Sequence, residues 1–304
     1  MREINIDIFI KRRKELKLSQ VKLCEGICTQ ATLSKFENNG RVPSLTILNK
    51  LCARLGLMVD DLYQDSTTST AKIRDGLNHA EKELMMENYQ EVINILSDIK
   101  PEKIEFIPLK TQFYYLRGLL NALTNQQPVD ILFDFSQILD DLDDKHQSIY
   151  TQLAYLGSGV MYSREKQNDK ADFYFEKIYQ FVEAYHHEPA KDSDEEDDHY
   201  LKILTLIFFT SEYYATKGNI KLSNQLVKMG IDLCSEYHVT YYLPRLKLQA
   251  AQNAIDEKKS SVEIKRLMNE ALAFAHINNN QVVEIRVAAL RTKYERDNKT
   301  IENA

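Results

Sequence analysis

The sequence predicts an all-α chain, a small N-terminal unit of five helices followed by an array of paired helices, and three observations carry that prediction. Cap and turn residues divide roughly the first 65 positions into five short apolar-periodic segments. Beyond position 70 no strand alternation occurs, and apolar residues recur at spacings of three and four. Helix starts there recur near Tyr89, Val129, Lys170, Ile220 and Ser261, a nearly fixed interval of the kind that marks stacked repeats.

The 304 residues are a soft prior for about two domains, and 43% hydrophobic content suffices for a large core. The expected division is 1–65, a polar linker at 66–71 containing Ser66-Thr67-Thr68-Ser69-Thr70, and 72–304. The net charge of −6 argues against nucleic-acid binding by the chain as a whole. Its distribution is uneven: residues 1–66 hold 11 Lys/Arg against 8 Asp/Glu, and residues 11–54 hold 10 against 3. Only the front end can sit on phosphate.

No run of about 18 apolar residues occurs, and the basic residues of MREINIDIFIKRRK follow its apolar patch, the reverse of a signal peptide. The chain is expected to be soluble and cytoplasmic, without a membrane partner. Cys24, Cys28, Cys52 and Cys234 occupy helical apolar positions, which fits thiols used as small hydrophobes in a reducing compartment. Neither a metal nor a cofactor is expected, since Cys24 and Cys28 lack partners at ligand spacing.

Within the first unit, helix one spans Asn5 to Lys17, with Ile8, Phe9 and Leu16 on one face and Lys11, Arg12, Arg13 and Lys14 on the other. Ser19 caps helix two, Val21, Leu23 and Cys24 turn inward, and Gly26 supplies the freedom the next turn needs. Thr29 caps helix three, where Leu33 and Phe36 face the core and Gln30, Ala31, Thr32, Ser34 and Lys35 remain available to a groove. Asn38-Asn39-Gly40 ends that helix. Pro43-Ser44 starts helix four, built on Leu45, Leu48, Leu51, Cys52 and Leu55, Gly56 stops it, and a short turn from Val59 to Tyr63 closes the unit.

The exposed face of helix three has base-reading chemistry. A Gln pairs bidentately with adenine, a Lys reaches guanine or phosphate, and Ala31 or the Thr32 methyl can meet a thymine methyl. Gln20, Thr29, Asn39 and Arg41 around it are suited to grip phosphates of double-stranded DNA. The run S-Q-x-x-L-C, then T-Q-x-T-L-S-K-F-E-N-N-G-R-V-P-S-L-x-x-L-x-x-L-C-x-x-L-G-L, resembles the lambda-repressor-like helix-turn-helix over nearly all of residues 5–63. It departs from that pattern after Glu37, where two asparagines precede Gly40.

In the array, first helices of each pair are expected at about 72–86, 108–123, 147–164, 200–217 and 241–256. The one long interval contains EPAKDSDEEDDH, Glu188 to His199, which lacks the central Gly and final Glu of a calcium loop and is read as a solvated insertion. Tyr214, Gly218, Ile220, Val227 and Gly230 resemble the tetratricopeptide pattern, while Gly157 and Ala271 supply small residues where helices approach closely. Such pairs bury one face only against neighbours, so stacking into a superhelix with a concave inner surface is expected. The repeat register places Gln112, Tyr115, Thr151, Ser158, Tyr162, Phe208, Glu212, Gln249 and Asn253 on that surface, where amides would bond a peptide main chain and aromatic faces would pack its side chains. Such aromatic residues also serve as core in helical repeats.

Catalytic signatures are missing from the sequence: no Gly-rich phosphate loop, no G-x-S-x-G, no H-E-x-x-H and no C-x-x-C. The pair His186-His187 is read as a helix end, and no enzyme activity is expected. The order of parts resembles the Rgg, PlcR and PrgX group of peptide-responsive transcription regulators of Gram-positive bacteria, nearest the PlcR-like branch. That resemblance implies a homodimer whose TPR-like repeats bind a short signalling peptide and alter how two headpieces engage an operator. Two other readings stay open: repeats that bind a protein partner or only dimerise, and a helical-repeat scaffold that does not bind DNA.

Overall fold

The computed structural model describes residues 4–62, 70–187 and 199–302, with backbone alone at 39, 60, 186, 187 and 298–302. The chain divides into two compact units, Met1–Asn78 with Ile99–Leu109, and His79–Asp98 with Lys110–Ala304. The acidic stretch 188–198, the side chains of His186 and His187, and most of the expected linker lie outside the described residues. The linker's last two positions belong to a helix that starts at Thr70.

The first unit contains α1 (Ile6–Glu15), α2 (Gln20–Cys24), α3 (Gln30–Asn39), α4 (Leu45–Arg54) and a 3-10 turn (Val59–Leu62). Local chemistry sets these boundaries. The Ser19 hydroxyl accepts from the Lys22 amide at 3.2 Å, and Thr29 accepts from the Thr32 amide at 3.3 Å, each satisfying an otherwise unbonded helix donor. Gly26 and Gly40 adopt φ of 72° and 67°, where a side chain would be strained, and the Arg41 amide folds back to the Lys35 carbonyl at 3.2 Å. Phe9, Leu23, Leu33, Phe36, Leu48, Leu51 and Leu55 form the core, with the rings of Phe9 and Phe36 edge-on at 5.2 Å. Three expected core residues are instead exposed: Leu16 at 42%, Val21 at 68% and Leu45 at 66%. Each lies at or beside a helix terminus, where the chain has not yet entered the core or has already left it.

The array comprises α5 (Thr70–Met85), α6 (Tyr89–Ser97), α7 (Ile107–Leu123), α8 (Pro128–Ser136), α9 (Ile149–Arg164), α10 (Asn168–His187), α11 (His199–Thr216), α12 (Ile220–Glu236), α13 (Leu243–Asp256), α14 (Ser261–Ile277) and α15 (Gln281–Glu302). The described residues contain no strand. Five pairs match the sequence expectation. Helix α15 was not anticipated, nor was the widened π turn Gln137–Leu142 that prolongs α8.

Pairs stack where side chains shrink. Phe135 of α8 enters a notch between α7 and α9, because Gly118 and Gly157 carry no Cβ to block its ring. Gly230 similarly admits Leu246 and Ile207, and Ala271 is fully buried. Dense burial follows on the first helices of each pair: α11 is buried at every position from Leu201 to Ser211.

That burial extends to the inner side of the first helices, where the sequence places the peptide-facing residues. The inner faces of α5, α7, α9, α11 and α13 pack against one another, so that Lys202 of α11 lies 3.6 Å from Glu81 of α5 and the Tyr242 hydroxyl donates to Thr205 at 3.2 Å. The seam they form is occupied by the chain's own side chains.

Candidate functional site

In the first unit, α3 presents Gln30, Ala31 and Lys35 to solvent, with Thr29 and Arg41 exposed at its two ends and Thr32 and Ser34 half-buried. A buried carboxylate organises this face. Glu37 receives both forks of Arg13, Nε at 2.7 Å and Nη2 at 2.8 Å, and also the Gln20 side-chain amide at 2.8 Å. Gln20 in turn accepts from the Gln30 amide at 2.7 Å. The relay Arg13, Glu37, Gln20, Gln30 therefore fixes the rotamer of the outermost Gln before any ligand arrives, which lowers the entropy lost on contact.

Sequence reasoning named Gln20 and Gln30 but missed Arg13 and Glu37, although both stand in the quoted motif or the basic run beside it. Thr29 is occupied as a helix cap and shares its hydroxyl with Thr32 at 2.9 Å, while Ser34 accepts from Asn38 at 3.0 Å. The side chain of Asn39 lies outside the described residues. Burial, joined for Cys24 by the neighbouring Cys28 and for Cys52 by Asp61, pushes the Cys24 and Cys52 thiols up to about 12. They stay protonated and act as apolar filling.

The nine expected inner-surface residues separate into two sets. Gln112, Tyr115 and Phe208 are buried with partners on neighbouring helices, and Glu212 is half-buried. Gln112 donates to Glu81 at 3.1 Å, the Tyr115 ring lies 6.0 Å from Tyr150, and Phe208 stacks at 5.1 Å on Tyr242. Burial drives the Tyr115 and Tyr242 hydroxyls well above the usual tyrosine range, so both remain neutral.

The other five each make a contact between or within helices. Thr151 donates to Asp143 at 2.6 Å, Ser158 to the Ala154 carbonyl of its own helix at 2.9 Å, and Tyr162 stacks on Tyr174 of α10 at 5.8 Å. Gln249 donates to Asn253 at 2.8 Å, and Asn253, fully buried, bridges to Ser223 and Asn224 of α12 at 2.8 Å each. A helix buried on nearly every side offers a polar residue several inward directions, and the 3.6-residue period alone does not choose among them.

The seam also holds charges that sequence reasoning did not single out. Arg245 of α13 is 4% exposed and lies 4.0 Å over the Phe208 ring, 5.1 Å from Phe209 and 5.4 Å from Tyr242. Glu87, in the turn between α5 and α6, stands 3.7 Å from Arg245 and 2.8 Å from Arg286 of α15. Burial tends to lower the Arg245 value, but the neighbouring Glu87 carboxylate outweighs it and holds the guanidinium above its ordinary range. The available signal was a charged residue inside an apolar run, as at Lys202 in YLKILTLIFF.

This arrangement defines a class: a helix-turn-helix headpiece joined to a body of stacked helical pairs. Comparison with known proteins agrees. A family model described as helix-turn-helix matches residues 10–62. The chain is 25% identical over 266 residues to the transcriptional activator NprA of Geobacillus stearothermophilus, covering 85% of this chain but only 62% of that protein's length. Among solved structures it is similar to PlcR of Bacillus thuringiensis in complex with the peptide PapR7 and DNA, with TM-score 0.64 and 16% identity over 94% of this chain and 99% of that one. It is also similar to ComR of S. thermophilus in complex with DNA and its signalling peptide ComS, with TM-score 0.58 and 18% identity over 94% and 97% of the two chains. The fold is thus that of the group which the sequence resembles. Among the described residues no helix is long and apolar enough to cross a membrane.

Proposed function

We propose that the chain is a cytoplasmic DNA-binding transcription regulator that acts as a homodimer and whose helical repeats bind a short signalling peptide, modulating operator binding. The observation that carries this reading is the pre-set base-reading face of α3, Gln30 held by Gln20 and Glu37 with Ala31 and Lys35 free beside it, on a chain whose fold matches PlcR nearly end to end. One headpiece offers few base contacts, so useful affinity requires two, at half-sites about 34 Å apart or a multiple of this. Gln20, Thr29, Arg41 and Asn39 would hold phosphates, while Gln30, Ala31, Thr32, Ser34 and Lys35 would meet the groove.

In the repeats, Gln112, Tyr115, Phe208 and Glu212 are the residues proposed to meet the peptide once the seam opens. A peptide changes operator binding only if it binds the closed and open forms with different affinity. A second reading, in which the repeats take a protein partner or only dimerise, is favoured by the packed seam itself. Titrating short peptides into the full chain by calorimetry separates the two. Binding that Phe208→Ala weakens supports the first, and no binding across a broad peptide set supports the second.

A further inference from the structure

We propose that Arg245 and Arg286 form a carboxylate-recognition site that Glu87 occupies in this structure, and that a carboxylate of the incoming peptide replaces Glu87 there. The proposal rests on the reading that the repeats bind a peptide, and it names the chemistry which that peptide must carry.

Arg245 is built as a receptor and is poorly served by its present partner. Its guanidinium is fixed among the rings of Phe208, Phe209 and Tyr242 at 4.0, 5.1 and 5.4 Å. A guanidinium takes a carboxylate through two parallel bonds of about 2.7–2.9 Å. Here the buried Nε makes no hydrogen bond, the Glu87 oxygen is 3.7 Å away, and Nη1 reaches only the Met85 carbonyl at 3.4 Å. Glu87 leans instead to Arg286, at 2.8 Å from one oxygen and 3.2 Å from the other. One carboxylate is therefore divided between two arginines, and the better receptor has the worse half.

The surroundings leave room for a second anion in charge, if not yet in space. Glu87 is the one carboxylate paired with both Arg245 and Arg286, so two cations share a single anion there. Arg286 provides the entrance, since its side chain is 49% exposed while that of Glu87 is 2% exposed. A neutral guest that displaced Glu87 would leave Arg245 buried without a counter-charge, which is strongly unfavourable; a guest carboxylate would not. Exchange also has a structural consequence. Glu87 ties the α5–α6 turn to α13 and α15, contacts separated by 158 and 199 residues, so its release would free the turn from the far end of the repeats.

The test is affinity selection on the full chain with three pools of random heptapeptides read by mass spectrometry. The first has free C-termini and no Asp or Glu, the second has amidated C-termini with Asp and Glu allowed, and the third is amidated without Asp or Glu. The expected result is retention of the first or second pool about tenfold above the third, equivalent to about 1.4 kcal/mol; the first places the carboxylate at the peptide terminus, the second on a side chain. Glu87→Gln should raise retention of the favoured pool several-fold because the internal competitor is gone. Arg286→Gln, at a half-exposed position, should erase the preference with an unchanged helical circular dichroism spectrum, and it decides the matter if Glu87→Gln does not fold. Equal retention of all pools, a folded Glu87→Gln without gain, or an Arg286→Gln with its preference intact would overturn the exchange and leave peptide binding standing. Retention of no pool by any of these proteins would overturn both.

Discussion

Replacing Gly157 by alanine should unsettle the repeats far more than one methyl suggests. A Cβ at position 157 would lie 1.9 Å from Cζ of Phe135 and 2.4 Å from Cε2, and the same ring already blocks a Cβ at Gly118, at 2.7 Å. Phe135 is 1% exposed and enclosed by both helices, so neither the ring nor α9 can retreat without opening packed core. Expelling the ring forfeits up to about 3–5 kcal/mol, the range for truncating a buried Phe. Alanine returns about 1 kcal/mol through its better helix propensity. The net expectation is a loss of about 2–4 kcal/mol, with Gly118→Ala costing less because its clash is milder. Urea unfolding followed by helical circular dichroism measures it. Adding Phe135→Ala should remove the clash, so that the double variant falls short of the summed single losses by about 3 kcal/mol or more. A Gly157→Ala protein as stable as the parent, or about 1 kcal/mol more stable, would refute the close approach.

Further predictions concern the headpiece and acid stability. Glu37→Gln breaks an ion pair whose carboxylate is 3% exposed and should destabilise the first unit by about 3 kcal/mol, read from its melting curve; it should also weaken DNA binding by releasing Gln20 and Gln30. Gln30→Ala or Lys35→Ala should each cost about 1–3 kcal/mol in specific DNA affinity by gel retardation. Arg41→Ala should lower the slope of log affinity against log salt by about 1 with little change in sequence preference. Burial tends to raise the Asp143 carboxyl, but bonds from Thr151, Ser148 and the amides of Gln147 and Ser148 hold it below its ordinary value. Its contribution is therefore fully present above pH about 4 and lost as pH falls through the depressed folded value. Asp143→Asn should flatten that part of an acid-unfolding profile, and an unchanged profile would remove Asp143 from the account.

How much of this was legible depended on how local the determining physics was. The caps Ser19 and Thr29 and the turn glycines Gly26, Gly40 and Gly56 act within a few residues, and the headpiece boundaries followed from them. The starts of α6, α12 and α14 at Tyr89, Ile220 and Ser261 followed from the repeat interval. Val21 and Leu45 were misplaced because a helix of one or three turns exposes its ends whatever their hydropathy. The inner face was harder for a different reason. In α9 and α11 nearly every side is apolar, so no polar stripe orients the helix, and the partners of Thr151, Ser158 and Tyr162 could not be read from the period. The contacts that close the seam, Glu81 with Lys202 and Glu87 with Arg245, join residues more than a hundred positions apart, and no periodicity encodes such pairing.

The central claim is that α3 reads DNA in duplicate under the control of a seam that a peptide opens. Its most direct test is selection of sheared genomic DNA by the full chain and by its Gln30→Ala, Lys35→Ala double variant, followed by sequencing. The account predicts enriched fragments with two related half-sites spaced by whole helical turns, lost in the double variant and altered in yield by a peptide that Phe208→Ala no longer binds. Enrichment of the same fragments by both proteins, or no enriched sequence at low salt, would contradict it.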